Sequence, residues 1–196
     1  MTTAPKDEQT RAESQGSGGE GTHHERRMYL RFGAMIATST AVMLGLTYTN
    51  TYALDHVRWS EERLYMALLM GSAMALVMLA FMAGMMYKNG RVNAAIIVGA
   101  LVLGTAALTL SRSQYFVDDQ AYMQGMIPHH SIAILTSERA DIDDLRVREL
   151  ADGIIEAQRE EIAEMDWLVQ DIEKNGPATT ADEAAARPVP QFQARP

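Results

Sequence analysis

The sequence predicts an all-α membrane protein: three membrane-spanning helices followed by an external helical hairpin that pairs into a bundle. Two observations carry this. Three long stretches hold no charged residue and are bracketed by charges at every end, each near the roughly 20 residues that a hydrocarbon core requires. Beyond them, two segments with helix caps and a helical apolar period flank a short polar turn.

Residues 1–27 are rich in Thr, Glu, Gln, Gly and Ser without apolar periodicity. Such a segment buries too little surface to offset its ordering entropy, so a disordered cytoplasmic tail is expected. Its His23-His24 pair is read as part of that flexible tail and not as a metal site.

The transmembrane region covers 28–112. No charge lies between Arg31 and Asp55, between Arg63 and Lys88, or between Arg91 and Arg112. The predicted spans are residues 32–54, 64–87 and 92–111. Tyr48, Tyr52, Trp59, Tyr65 and Tyr87 fall where an interfacial aromatic belt would place them. Arg26, Arg27, Arg31, Lys88 and Arg91 outnumber the basic residues beside the other helix ends by five to three. This bias sets the N-terminus in the cytoplasm and the C-terminal domain on the far side of the membrane. The long polar leader and the missing small-x-small site argue against a cleaved signal peptide.

The second span carries Met66, Met70, Met74, Met78, Met82 and Met86, one every four residues. A repeat of four drifts by about 40° per step on a 3.6-residue helix, giving a winding ridge. With no acid, histidine or cysteine in the span, packing explains the ridge better than metal transport does. Gly33, Gly45, Gly99 and Gly104 fit close helix approach.

The hairpin domain covers 113–175. Asp118 or Asp119 caps a helix over about 120–137, Ala140 to Asp144 form the turn, and a second helix runs from about Leu145 to Lys174. Asn175-Gly176 ends it. Its apolar face reads Val147, Leu150, Ala151, Ile154, Ile155, Ile162, Met165, Leu168, Val169 and Ile172, with Gln158 and Glu161 as polar interruptions. Two helices alone bury little surface, so a homo-oligomer, or docking on the membrane bundle, is expected. Residues 176–196 are Pro- and Ala-rich and read as a disordered tail.

The densest chemistry is Met123-Gln-Gly-Met126-Ile-Pro-His129-His130. Thioethers favour soft ions such as Cu(I), and imidazoles accept several transition metals. On a helix Met123, Met126 and His130 share a face, His129 lies three residues beyond Met126, and Pro128 is expected to kink the chain. Gln158, Glu161 and Met165 align on the second helix and face this row if the hairpin closes antiparallel. The alternative is that the methionines pack the hairpin and the histidines are satisfied polar groups.

Composition narrows the classes. The chain has no cysteine, which excludes disulfides, thiolate metal sites and thiol nucleophiles. The net charge is −8, and residues 113–196 carry 17 acidic against 7 basic residues. So acidic a domain disfavours nucleic acid. No Glu-x-x-His occurs in the hairpin, and nothing fixes a geometry around Ser131 for hydrolysis, so no enzymatic role is assigned.

The hairpin resembles the bacterial family called domain of unknown function 305. The residues that carry the resemblance are Met123-x-x-Met126-Ile-x-His129-His130 with Ala133-Ile134, then Ala151-x-x-Ile154-Ile155-x-x-Gln158-x-x-Glu161-Ile162-x-x-Met165-x-Trp167-Leu168. The resemblance implies a ferritin-like helical fold and, as in some members, periplasmic copper binding. The implied metal ligands are Met123, Met126, His129, His130 and Met165. Many members have a methionine where this chain has Thr136, so one soft donor is absent. Two functions follow. One is a membrane-anchored protein in a bacterial inner membrane, holding copper or silver outside for buffering or tolerance, with Gln158 and Glu161 orienting an imidazole. The other is a metal-free structural or oligomerisation module of that membrane, in contact with lipid.

Overall fold

The computed structural model describes residues 6–192, with side chains described from residue 23 onward. The chain is all-helical: α1 (Lys6–Thr47), α2 (Glu61–Met82), α3 (Gly90–Ser113), α4 (Asp119–Arg139), α5 (Leu145–Asn175) and α6 (Ala181–Ala186), with a 3-10 turn at Leu54–His56. No strand occurs among the described residues. His23–Thr47 of α1, together with α2 and α3, are long and apolar enough to cross a membrane.

Several boundaries depart from the sequence reading. The first span stops at Thr47 and not at Leu54. The Arg63 guanidinium donates to the Thr47 carbonyl and lies 4.6 Å over the Tyr48 ring, closing the C-terminal end of α1 with a cation. The second span stops at Met82, ahead of a turn through Gly84. Tyr87 is consequently buried against Tyr29 and Phe32. The Asn89 side chain accepts from the backbone N–H groups of Arg91 and Val92, an N-cap that starts α3 at Gly90.

Of the disordered leader expected over 1–27, residues 1–5 lie outside the described residues. From Lys6 the backbone is helical. Extending an existing helix costs far less than nucleating one, and the leader supplies Ala, Glu, Gln and Arg among its glycines. The expected disordered tail is also partly helical. Thr180 and Glu183 form a reciprocal capping box for α6. Arg187 then folds back, pairing with Asp171 and donating to the Gly176 carbonyl at 3.1 Å. Residues 193–196 lie outside the described residues.

The chain divides into two compact units. One contains α1 as far as Val42 and Ala67–Ala106. Its core is Phe32, Ala75, Leu79, Tyr87 and Ala100, with Met78 and Met82 packed against it. Two rungs of the methionine ridge are therefore packing residues, whereas Met66, Met70 and Met86 are exposed. A Cβ at Gly71 would lie 2.3 Å from Thr40 Oγ1, so this contact admits only glycine without rearrangement.

The second unit joins Met43–Met66 to the chain from Ala107 onward. Asp118 caps α4, its carboxylate accepting from Ala121 N at 2.8 Å. Asp144 caps α5, accepting from Arg146 N at 2.9 Å. Gly176 ends α5 at φ 77°, a left-handed conformation that glycine adopts without penalty. Both helices contribute to one core of Met123, Ile127, Ile134, Ile162 and Met165. The ten apolar residues that the sequence assigns to one face of α5 divide in two. Ala151, Ile155, Ile162, Met165, Leu168, Val169 and Ile172 are buried or partly buried, whereas Val147, Leu150 and Ile154 are exposed.

Candidate functional site

Five residues were expected as ligands, and the structure gathers four of them. Met123 and Met165 sit in the hairpin core at 6% and 9% exposure, one from each helix. Met126 packs against the same cluster. Pro128 stays inside an unbroken α4, fully buried beside Ile127. His130 lies one turn beyond Met126, its Nδ1 2.9 Å from the Met126 carbonyl. A carbonyl only accepts, so Nδ1 carries the hydrogen and Nε2 turns to α5, 2.9 Å from Glu161 Oε2. A carboxylate oxygen also only accepts, so this contact is a hydrogen bond when Nε2 carries a proton.

Gln158 donates to the same Glu161 Oε2 at 3.1 Å, which holds the carboxylate in place. Gln158, Glu161, His130 and the Met126 carbonyl therefore form one continuous polar chain along the edge of the methionine cluster. Gln158 and Glu161, the two residues expected beside an imidazole, both belong to this chain of contacts with His130.

His129 stands apart. It is exposed, its ring centroid is 6.0 Å from that of His130, and it turns to a cavity of about 260 Å³. Ser60, Glu61, Gln114 and Tyr122 line this cavity together with Met126. Met126 thus borders both the cavity and the apolar cluster.

Sequence reasoning missed a second polar centre. Ser131 is completely buried and accepts from Tyr52 N at 2.8 Å, while its Oγ lies 2.9 Å from His56 Nδ1. Arg58 reaches Asp166 at 3.1 Å, and Arg159 pairs with Glu138 across the hairpin. The segment from Tyr48 to Ser60 is therefore a strap across the hairpin. The signal was available: Ser131 falls in the Ile127–Ile134 row of α4, where a polar side chain requires a buried partner. The partner is hidden in the sequence because Tyr52 lies in the charge-free run that continues the first span to Leu54.

Among the described residues, no group of three or more His, Cys, Asp or Glu side chains is arranged to hold an ion. Any metal here would depend on thioether donors, and the gathered set, three methionines with one imidazole, has the softness that suits a monovalent d10 ion.

The class defined so far is an all-helical protein with three potential membrane helices and a methionine- and histidine-bearing hairpin. Residues 119–193, from α4 onward, match the family model described as Domain of unknown function (DUF305). An uncharacterized protein of Acanthamoeba polyphaga mimivirus is 44% identical over 62 residues, which span 31% of this chain and 41% of that protein. No solved structure matches.

Proposed function

We propose that this chain is a membrane-anchored binding protein whose hairpin holds a soft metal ion, Cu(I) or Ag(I), for buffering or tolerance. The carrying observation is that Met123, Met126 and Met165, drawn from both helices, meet in one apolar cluster beside His130. Thioether sulfur would supply the ligands, joined by His130 Nε2 once it exchanges its 2.9 Å contact with Glu161 Oε2 for the ion, while Nδ1 stays on the Met126 carbonyl. Ile127 and Ile162 exclude water, which favours a weakly hydrated monovalent cation over a divalent one. Basic residues near the helix ends support a cytoplasmic N-terminus, with the hairpin on the periplasmic or extracellular side of a bacterial inner membrane.

The test is an anaerobic Cu(I) titration of the full chain in detergent against a competing chelator. One site per chain is expected. Replacing Met126 and Met165 by leucine should weaken it at least about tenfold, and replacing His129 and His130 by alanine should remove it. Stoichiometric binding of unchanged affinity in the double histidine variant would sink the assignment.

A metal-free structural or oligomerisation module is the second reading, favoured by the exposed apolar residues of α5.

A further inference from the structure

The residue that ends α3 is held in the left-handed region. Gln114 takes φ 53°, the only positive φ at a non-glycine among the described residues. Its N–H bonds the Leu110 carbonyl at 3.0 Å, and its side chain donates to the Ser111 carbonyl and to the Glu62 carboxylate on α2. The chain then reverses. Val117 N donates to the Gln114 carbonyl at 3.0 Å, so Tyr115 and Phe116 are the two corner residues of a β-turn. Turn corners that face water favour Gly, Pro, Asn, Asp or Ser. Here two aromatic rings occupy them, 5.1 Å apart edge to face and exposed by 79% and 64%.

We infer that this turn, together with Trp59, is a foot that enters the headgroup layer of the bilayer and fixes the start of α4 at the membrane surface. The inference rests on the membrane-anchored reading above. Depth carries it. The charge-free run of α3 ends at Ser111, and Arg112 follows. Tyr115 and Phe116 come two and three residues after Ser113, so neither Cα lies more than roughly 10 Å past the helix end. The headgroup layer is about 5–8 Å deep on each side, and an aromatic side chain reaches several ångströms further, so both rings are within range of it. Trp59 stands at the same level. Glu62, in the first turn of α2, accepts from Ser111 Oγ at 2.8 Å, which sets the start of α2 beside the end of α3. Trp59 is 52% exposed, and its Nε1 donates to Glu61 at 3.0 Å, which meets the one polar need of the ring. All of these residues belong to one compact unit. Tyr and Trp are the side chains that a membrane–water boundary favours. Glu61, Glu62, Asp118 and Asp119 flank the foot, so it is no basic cluster for anionic lipid, and its partner is a zwitterionic headgroup boundary.

The two tryptophans of the chain, Trp59 and Trp167, make fluorescence the test. The full chain is placed in phosphatidylcholine vesicles, with lipid brominated high on its acyl chains as one quencher and aqueous iodide as the other. Trp59 in the Trp167→Phe chain should lose at least about half its emission to brominated lipid. So should Tyr115→Trp in a chain that also carries Trp59→Phe and Trp167→Phe. Iodide should quench both several-fold less than it quenches Leu145→Trp in the same tryptophan-free background, since Leu145 is 84% exposed and serves as the reference. Alkaline extraction of the vesicles separates the two ways of failing. A released chain overturns the membrane anchor and the foot together. A retained chain whose Tyr115→Trp site is as open to iodide as the reference overturns the foot alone. Protection from iodide without loss to brominated lipid assigns the turn to a protein contact and overturns the foot likewise. Should Trp167→Phe fail to fold, a nitroxide on Phe116→Cys in the otherwise cysteine-free chain reads the same depth. Greater accessibility to oxygen than to a water-soluble nickel chelate is expected, and the reverse order overturns the foot.

Discussion

Ser131 shows what a single hydroxyl does in this hairpin. Its oxygen takes the Tyr52 N–H and the His56 ring, both on a segment far away in sequence. Ser131→Ala leaves those two groups facing an apolar wall, at a cost of about 1–3 kcal/mol. The measurable outcome is a lower melting temperature for the full chain in detergent and faster proteolysis between Tyr48 and Ser60; unchanged values for both would show that the strap does not depend on this contact. His130 is the contrasting case. Its donors and neighbours were legible from spacing alone, because i+3 and i+4 relations on two helices fix who can meet whom. Its pairing with Glu161 needed the register of the two helices, which periodicity does not encode.

At the scale of elements, helix ends proved more informative than helix interiors. The cap at Asp144 is reinforced by Arg146, whose side chain and backbone both donate to the carboxylate and hold its pKa below the ordinary 3.8. A depressed carboxyl contributes stability that is complete above its ordinary value and lost as pH falls from there toward the lowered one. Amide exchange in the first turn of α5 should therefore accelerate only under acid conditions, below about pH 4; acceleration already near neutrality would point to another group. Gly71 is the corresponding test among the three long apolar helices. Gly71→Val drives a side chain into Thr40 and should destabilise that packing by about 1–3 kcal/mol, read as a lower detergent melting midpoint. A neutral result would mean that the two helices separate freely there. The three apolar helices and both hairpin helices were readable from charge-free runs, caps and apolar period. The end of α1 was not, because Tyr48 to Leu54 carries no charge and so looked like membrane. The stop comes from Arg63, a residue on the next helix.

For the whole molecule, the division into two units is not a division of the chain into two consecutive pieces. The unit that includes the hairpin also takes Met43–Met66, and contacts such as Tyr52 to Ser131 and Arg58 to Asp166 tie residues 79 and 108 positions apart. Removing residues 48–60, or expressing α4 and α5 alone, should accordingly yield a less protected hairpin than the full chain, measured by hydrogen exchange around Ile127–Ile134. Equal protection in the two forms would show that the hairpin is self-sufficient. The family match begins at residue 119 and so covers the hairpin without its strap.

This interleaving has a consequence for the order of synthesis. The strap leaves the ribosome before α3 has been made, and its hydrogen-bonding partner on α4 emerges only after that helix is complete. Until then Tyr52 and His56 must remain hydrated, and the hairpin cannot reach its finished packing during translation of its own residues alone. Maturation of this domain therefore waits on the last apolar helix, so a chain truncated anywhere before Ser131 leaves a strap with nothing to close upon.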